Sequence, residues 1–213
     1  MMKGAKAMTR RDPLRMIALA LAVSALVCAA LVLLARAQAP SGKATVDAPQ
    51  FTKEGMLLRP PNYREWIYLS SGLGMSYSGG GSPQFTNVFV APPAYRAFLA
   101  NGRWPDHTIF VLEERAASSQ GSINKSGHFQ TALDGLGASV KDEKRFGEKW
   151  AYFSFSQGET AAAPNAKAHC WQCHNDHGAV DNTFVQFYPT LKEVARKVGT
   201  YNKDKAGTEP GSE

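Results

Sequence analysis

The chain has 213 residues, enough for one domain with a core of its own. Its formal charge of +6 suggests a basic surface, but residues 1–37 hold six of the 24 Lys and Arg and only one of the 18 Asp and Glu. The remainder carries 18 basic and 17 acidic residues, which excludes a phosphate-binding face and leaves no expectation of a nucleic-acid partner.

In chain order, Met1 to Arg15 is a positively charged opening, Met16 to Leu34 is uncharged and apolar, and Ala35-Arg36-Ala37 offers small residues for a signal peptidase. This segment reads as a signal peptide cleaved after Ala37. Alternatively, because the apolar run is 19 residues long, it is a retained N-terminal membrane anchor. Both readings put the rest of the chain outside the cytoplasmic membrane, in the periplasm. Residues 38–54 are polar with Pro and Gly and read as a linker. A single domain is expected over 55–200, and residues 201–213 read as a disordered tail.

Within the domain, Trp66 to Leu69 suits a short strand, and the glycines from Gly72 to Gly81 suit a loop. These glycines do not follow G-x-G-x-x-G, so a phosphate cradle is not indicated. Phe85 to Val90 reads as a strand. Pro92-Pro93 then suit a first helical turn, with Tyr95, Phe98 and Leu99 on one face and Asn101-Gly102 as the stop. Thr108 to Glu113 is the clearest β run, Leu133, Leu136 and Val140 suggest an antiparallel return, and Trp150 to Phe155 reads as a further strand. A short helix from Asn165 would carry the cysteines. Phe184 to Tyr188 reads as a strand, and Thr190 with Glu193 forms a capping box for a helix in which Leu191, Val194 and Val198 share a face. The pattern predicts an α+β domain, mainly antiparallel sheet with a few helices.

The chemistry concentrates in Cys170-Trp171-Gln172-Cys173-His174, the C-x-x-C-H spacing of covalent haem attachment. Two thiols three residues apart reach the two vinyl groups on one porphyrin edge, and the adjacent histidine falls under the iron as proximal ligand. Other uses of these residues fit less well. A thioredoxin-like pair needs a β-α-β setting that is missing here. A zinc site of Cys170, Cys173, His174 and His177 would crowd four ligands into eight residues. A disulfide between Cys170 and Cys173 would close too small a loop to stabilise much. One covalent haem c per chain is expected, bound by Cys170 and Cys173 with His174 as metal ligand. The remaining cysteine, Cys28, lies in the leader.

Only 39 residues follow His174 and none is methionine, unlike electron-transfer cytochromes whose methionine ligand lies downstream of the motif. Met75, in the glycine-rich loop, could in principle reach the iron, although a methionine covering apolar surface is the plainer reading. His107, His128, His169 and His177 are further candidates for a sixth ligand, each better read as a solvated loop histidine.

The segment from about Tyr63 to Arg196 resembles the cytochrome P-460 family, which includes the β-sheet cytochromes c′. The stretches that carry the resemblance are Asn62 to Trp66, Thr108 to Glu113, Ala138 to Asp142 with Arg145-Phe146, Cys170 to His174, and Phe184 to Pro189. The resemblance implies a large antiparallel sheet, a homodimer and one five-coordinate haem. P-460 cytochromes proper oxidise hydroxylamine and carry a lysine cross-linked to the haem. The aligned position here is Leu112, which has no nucleophilic nitrogen, so the cross-link is expected to be absent unless Lys125 or Lys141 substitutes. Strand alternation puts Phe110 and Leu112 on one face, and an apolar distal wall of this kind resembles the branch that binds small diatomic ligands such as nitric oxide. Both residues are also what a plain sheet core would contain. The resulting expectation is an exported protein that binds or detoxifies nitric oxide or a related nitrogen oxide. The alternatives are hydroxylamine oxidation or peroxidase-like chemistry, with Glu113 or Glu114 as proton acceptor, and six-coordinate electron transfer. No redox partner is indicated.

Overall fold

The computed structural model describes residues 47–75 and 81–207. They belong to one compact unit, Thr45–Glu213, and the leader expected over residues 1–37 lies outside the described residues, as do residues 76–80 of the expected glycine-rich loop. None of the described helices is long and apolar enough to cross a membrane.

The frame is a five-stranded sheet: β2 (Ile67–Leu73), β3 (Gln84–Val90), β4 (Ile109–Ser118), β5 (Phe129–Lys141) and β6 (Trp150–Phe155). The strands lie in sequence order and every neighbouring pair is antiparallel. Two short strands, β1 (Leu57–Leu58) and β7 (Ala161–Ala162), pair separately. The helices are α1 (Pro92–Asn101), α2 (Lys167–His177), α3 (Pro189–Val198) and the one-turn α4 (Lys203–Ala206). The expected α+β domain with a mainly antiparallel sheet is the observed architecture.

The period of two along each strand divides the core into two layers. Ile109, Val111, Leu136, Ala138, Val140, Phe153 and Phe155 pack on one face with Leu57, Tyr63 and Trp66 from the N-terminal segment. Val90, Phe110, Trp150 and Tyr152 pack on the other with Phe98 of α1 and Leu191 and Ala195 of α3. Three aromatic rings stitch this second layer together. Phe98 lies 4.1 Å from Trp104, and Trp104 meets Phe110 edge-on at 4.8 Å. The indole N–H of Trp104 donates to Thr183 Oγ1 at 2.8 Å, so this large buried ring satisfies its polar edge.

Several local expectations change. Leu99 is 44% exposed and leaves the buried face of α1, which runs through Ala94 and Phe98 instead. Gly102 ends α1 in the left-handed region as expected, at φ 66°. Val185–Phe187 is a single 3-10 turn rather than part of a strand, because the short apolar run meets Pro189 and no neighbouring strand among the described residues is placed to pair with it. The capping box does not form: Pro189 starts α3 with its fixed φ, Tyr188 takes the cap position, and Glu193 pairs with Arg196 at 2.8 Å.

The packed unit also extends beyond both expected limits. Phe51, inside the expected linker, bridges to Leu57 and packs against Phe146 and Phe153. At the other end, Asn202 caps α4 through its side chain, so the tail is structured as far as Gly207. The apolar face of α1 yields a prediction: Phe98→Ala should cost about 3–5 kcal/mol in chemical denaturation, whereas Leu99→Ala, one residue on, should change stability by less than about 0.5 kcal/mol.

Candidate haem site

Helix α2 carries Cys170, Cys173 and His174, spaced so that all three share one helix face. Both thiols are half-buried and neither is in a disulfide. Burial raises the Cys173 thiol above its ordinary value, and Asp176 and Cys170 add to the shift.

The His174 imidazole is packed between Tyr152, 4.3 Å away, and Phe184, 4.5 Å away. Its Nδ1 lies 2.9 Å from the backbone carbonyl of Asn182. A carbonyl only accepts, so Nδ1 carries the proton and donates, leaving the Nε2 lone pair for a metal. Burial pushes the imidazole pKa down to about 4, against an upward pull from the Asn182 carbonyl. The ring is therefore neutral at physiological pH, the form that ligates metal.

The contact with Asn182 depends on a close backbone approach. After α2, Val180 and Thr183 bridge to each other and the chain reverses through Asp181 and Asn182, both left-handed at φ 44° and 59°. This is a tight turn of the I′ kind, in which Asp and Asn are the non-glycine residues best tolerated. Gly178 lets the turn fold back on the helix. A Cβ at that position would meet the His174 carbonyl oxygen at 2.5 Å, Thr183 N at 2.7 Å and Asn182 C at 2.8 Å, all of them backbone atoms.

His174 lines a cavity of about 390 Å³, in the size range of cofactor sites. Phe110, Leu112 and Val88 of the sheet form part of its wall, and Met75, Glu114 and Phe187 also line it. Ser139, the cross-strand neighbour of Phe110, lies on the same wall. Nearby, the Tyr152 hydroxyl is buried and makes no hydrogen bond. The side chain of Asn182 is close enough to favour the phenolate, but burial dominates and raises the phenol pKa.

Other candidates fall elsewhere. Glu113 points to the opposite face of the sheet from Glu114, since neighbours in a strand alternate. There it accepts hydrogen bonds from Tyr63 Oη at 2.6 Å, Asn87 Nδ2 at 3.3 Å and Arg115 Nε at 2.9 Å, and pairs with Arg64 at 2.7 Å. It holds the N-terminal segment against the sheet and is not placed to take a proton in the cavity. The Lys141 ammonium donates to the Trp104 carbonyl at 2.9 Å and to Asp181 at 2.7 Å. Neither Lys141 nor Lys125 lines the cavity, and neither do His107, His128 or His177. The side chain of His169 lies outside the described residues. Among the described residues, Cys170, Cys173, His174 and His177 do not bring three ligand atoms within 4.8 Å of one another, whereas Asp106, His107 and Asp142 do. The sequence reading missed Gly178, Asn182 and Tyr152 because their part in the site comes from a backbone approach and from ring packing.

A neutral, carbonyl-oriented histidine in the wall of a partly apolar cavity, on a helix that also presents two thiols outside any disulfide, fits a haem. The protein is a haem protein built on an antiparallel sheet. Residues 60–185 match the family described as Cytochrome P460, and the chain belongs to that family. No curated protein matches the chain.

Glu113 also sets a pH dependence. Burial raises its pKa, but the hydrogen bonds from Arg115, Tyr63 and Asn87 outweigh it and hold the carboxyl below the usual glutamate value. A carboxyl depressed on folding contributes stability that is complete above its unfolded pKa and is lost as pH falls through the folded one. Thermal unfolding of the wild type should therefore lose stability below about pH 4.5, and Glu113→Gln should be less stable at neutral pH with a shallower acid slope.

Proposed function

We propose that this protein is an exported monohaem c-type cytochrome with a five-coordinate iron that binds or detoxifies nitric oxide or a related small nitrogen oxide. The observation that carries the reading is the composition of the cavity wall. Among the described residues, His174 is its one nitrogen base, and Phe110, Leu112 and Val88 line it without a lysine or a second histidine. Haem supplies, when bound, an iron whose open position can take a small ligand.

The chain's own residues do the rest. Cys170 and Cys173 would hold the porphyrin through thioether bonds and His174 Nε2 would ligate the iron, while its Nδ1–H is fixed on the Asn182 carbonyl. Phe110, Leu112 and Val88 supply an apolar part of the cavity wall, which would suit a small neutral ligand, while Gln84, Thr86 and Glu114 also line the cavity. Leu112 stands where the cross-linking lysine of P-460 cytochromes aligns, so hydroxylamine oxidation through a cross-linked haem is disfavoured. The basic and then apolar leader supports export to the periplasm, and the family resemblance supports a homodimer.

A second reading rests on Met75. Among the described residues its thioether is the one soft donor lining the cavity, and as a sixth ligand it would make the protein an electron carrier. The optical spectrum of the ferrous protein separates the two. A high-spin spectrum that changes on adding nitric oxide or carbon monoxide, unaltered by Met75→Ala, is the expected result. A low-spin spectrum that Met75→Ala converts to high-spin would establish the electron carrier, and a red-shifted Soret band with hydroxylamine turnover would overturn the argument from Leu112.

A further inference from the structure

We infer that Lys141 and Asp181, remote from the cavity, are positioning residues that set the hydrogen bond on His174 and thereby tune the iron. The inference rests on His174 being the iron ligand.

The turn that presents the Asn182 carbonyl has two non-glycine residues at positive φ in succession, Asp181 and Asn182. Such a conformation persists where its surroundings over-determine it. Both carboxylate oxygens of Asp181 are gripped from the sheet. Lys141 Nζ, at the end of β5, donates to Oδ2 at 2.7 Å, and Trp150 Nε1, at the start of β6, donates to Oδ1 at 3.2 Å.

Lys141 is itself fixed. Its side chain is 9% exposed, and its ammonium donates to Asp181 and to the Trp104 carbonyl at 2.9 Å, with the more exposed Glu143 only an ion-pair neighbour at 3.4 Å. From the other side Trp104 donates to Thr183, the residue that closes the turn. The turn is thus bolted to two strands and to the Trp104 segment, and it presents the Asn182 carbonyl to His174 Nδ1, 2.9 Å away.

Hydrogen bonding at the outer nitrogen of a ligating histidine raises its basicity and fixes its orientation. Loosening the turn should therefore weaken electron donation to the iron. Lys141 and Asp181 do not line the cavity, whereas Thr183 does and Trp104 and Trp150 pack against Phe110, so the iron–histidine band is the readout that reports the route through His174.

The test uses full-length protein carrying its haem, with three readouts: the iron–histidine stretching band of the ferrous form, the midpoint potential and the melting temperature. Asp181→Asn, which keeps the side-chain shape, and Lys141→Met should each lower the stretching frequency and raise the potential. The double variant should shift them no further than the larger single effect, because both act on one turn. Lys141→Arg should recover most of the wild-type values, and Glu143→Gln, which touches Lys141 but not the turn, should leave them unchanged. A fall in melting temperature with band and potential unmoved would make the pair merely structural and overturn the proposal. His174→Ala distinguishes the underlying assignment. If the wild type lacks an iron–histidine band that this substitution removes, the ligand assignment fails and the proposal with it. If the band is removed but the Asp181 and Lys141 variants do not move it, the proposal alone fails.

Discussion

The structure depends on one close approach, the backbone turn at Asp181 and Asn182 folding back on the C-terminal end of the helix that carries His174. Only a residue without a Cβ can stand at Gly178, because three backbone atoms lie within 2.8 Å of where that carbon would be. This contact sets the proton on Nδ1, the free lone pair on Nε2 and the orientation of a ring buried between Tyr152 and Phe184. A histidine on a surface helix would titrate near neutrality and turn freely. Here packing and one carbonyl remove both freedoms.

The sheet separates stability from chemistry by alternation. In β4, Phe110, Leu112 and Glu114 face the cavity, while Ile109, Val111 and Glu113 face the layer closed by the N-terminal segment. Two adjacent glutamates consequently have different roles. Glu113 is a buried carboxylate whose lone pairs are occupied by four neighbours, an arrangement that tolerates a charge in a core. Glu114 is exposed and lies over Gly135, whose missing side chain leaves it room.

The same alternation explains why an apolar wall stands in a cavity lined by His174. Val88, Leu112 and Gly137 are cross-strand partners in one row, as are Val90, Phe110 and Ser139 in the next. Small residues on β5 beside large ones on β3 and β4 leave a hollow against the sheet, and α2 with the 184–188 segment closes it. Membership of the Cytochrome P460 family and the presence of His174 in the cavity lining both point to a haem site.

Much of the protein was legible in local order. The C-x-x-C-H spacing pointed to haem because two thiols at that interval can reach one porphyrin edge while the adjacent histidine reaches the iron. Alternation in Thr108 to Glu113 put Phe110 and Leu112 on one face, because side chains in any strand alternate. The antiparallel class came from strands returning through short connections. The sequence did not show that Phe184 to Tyr188 would turn rather than extend, because a short apolar run is ambiguous until it finds, or fails to find, a strand to pair with. It did not show that Leu99 would face solvent, since residues at i, i+3 and i+4 share one helix face and only the packing partners decide that the buried line runs through Ala94 and Phe98. Nor did it separate Glu113 from Glu114, or give Lys141 its partners. Those assignments required knowing which face of the sheet was covered, and by what. Covalent spacing and side-chain period are properties of neighbouring residues and are written in the sequence. The Asn182 carbonyl on His174 and the ion pair 40 residues apart that holds it are properties of the closed chain, and only tertiary structure decided them.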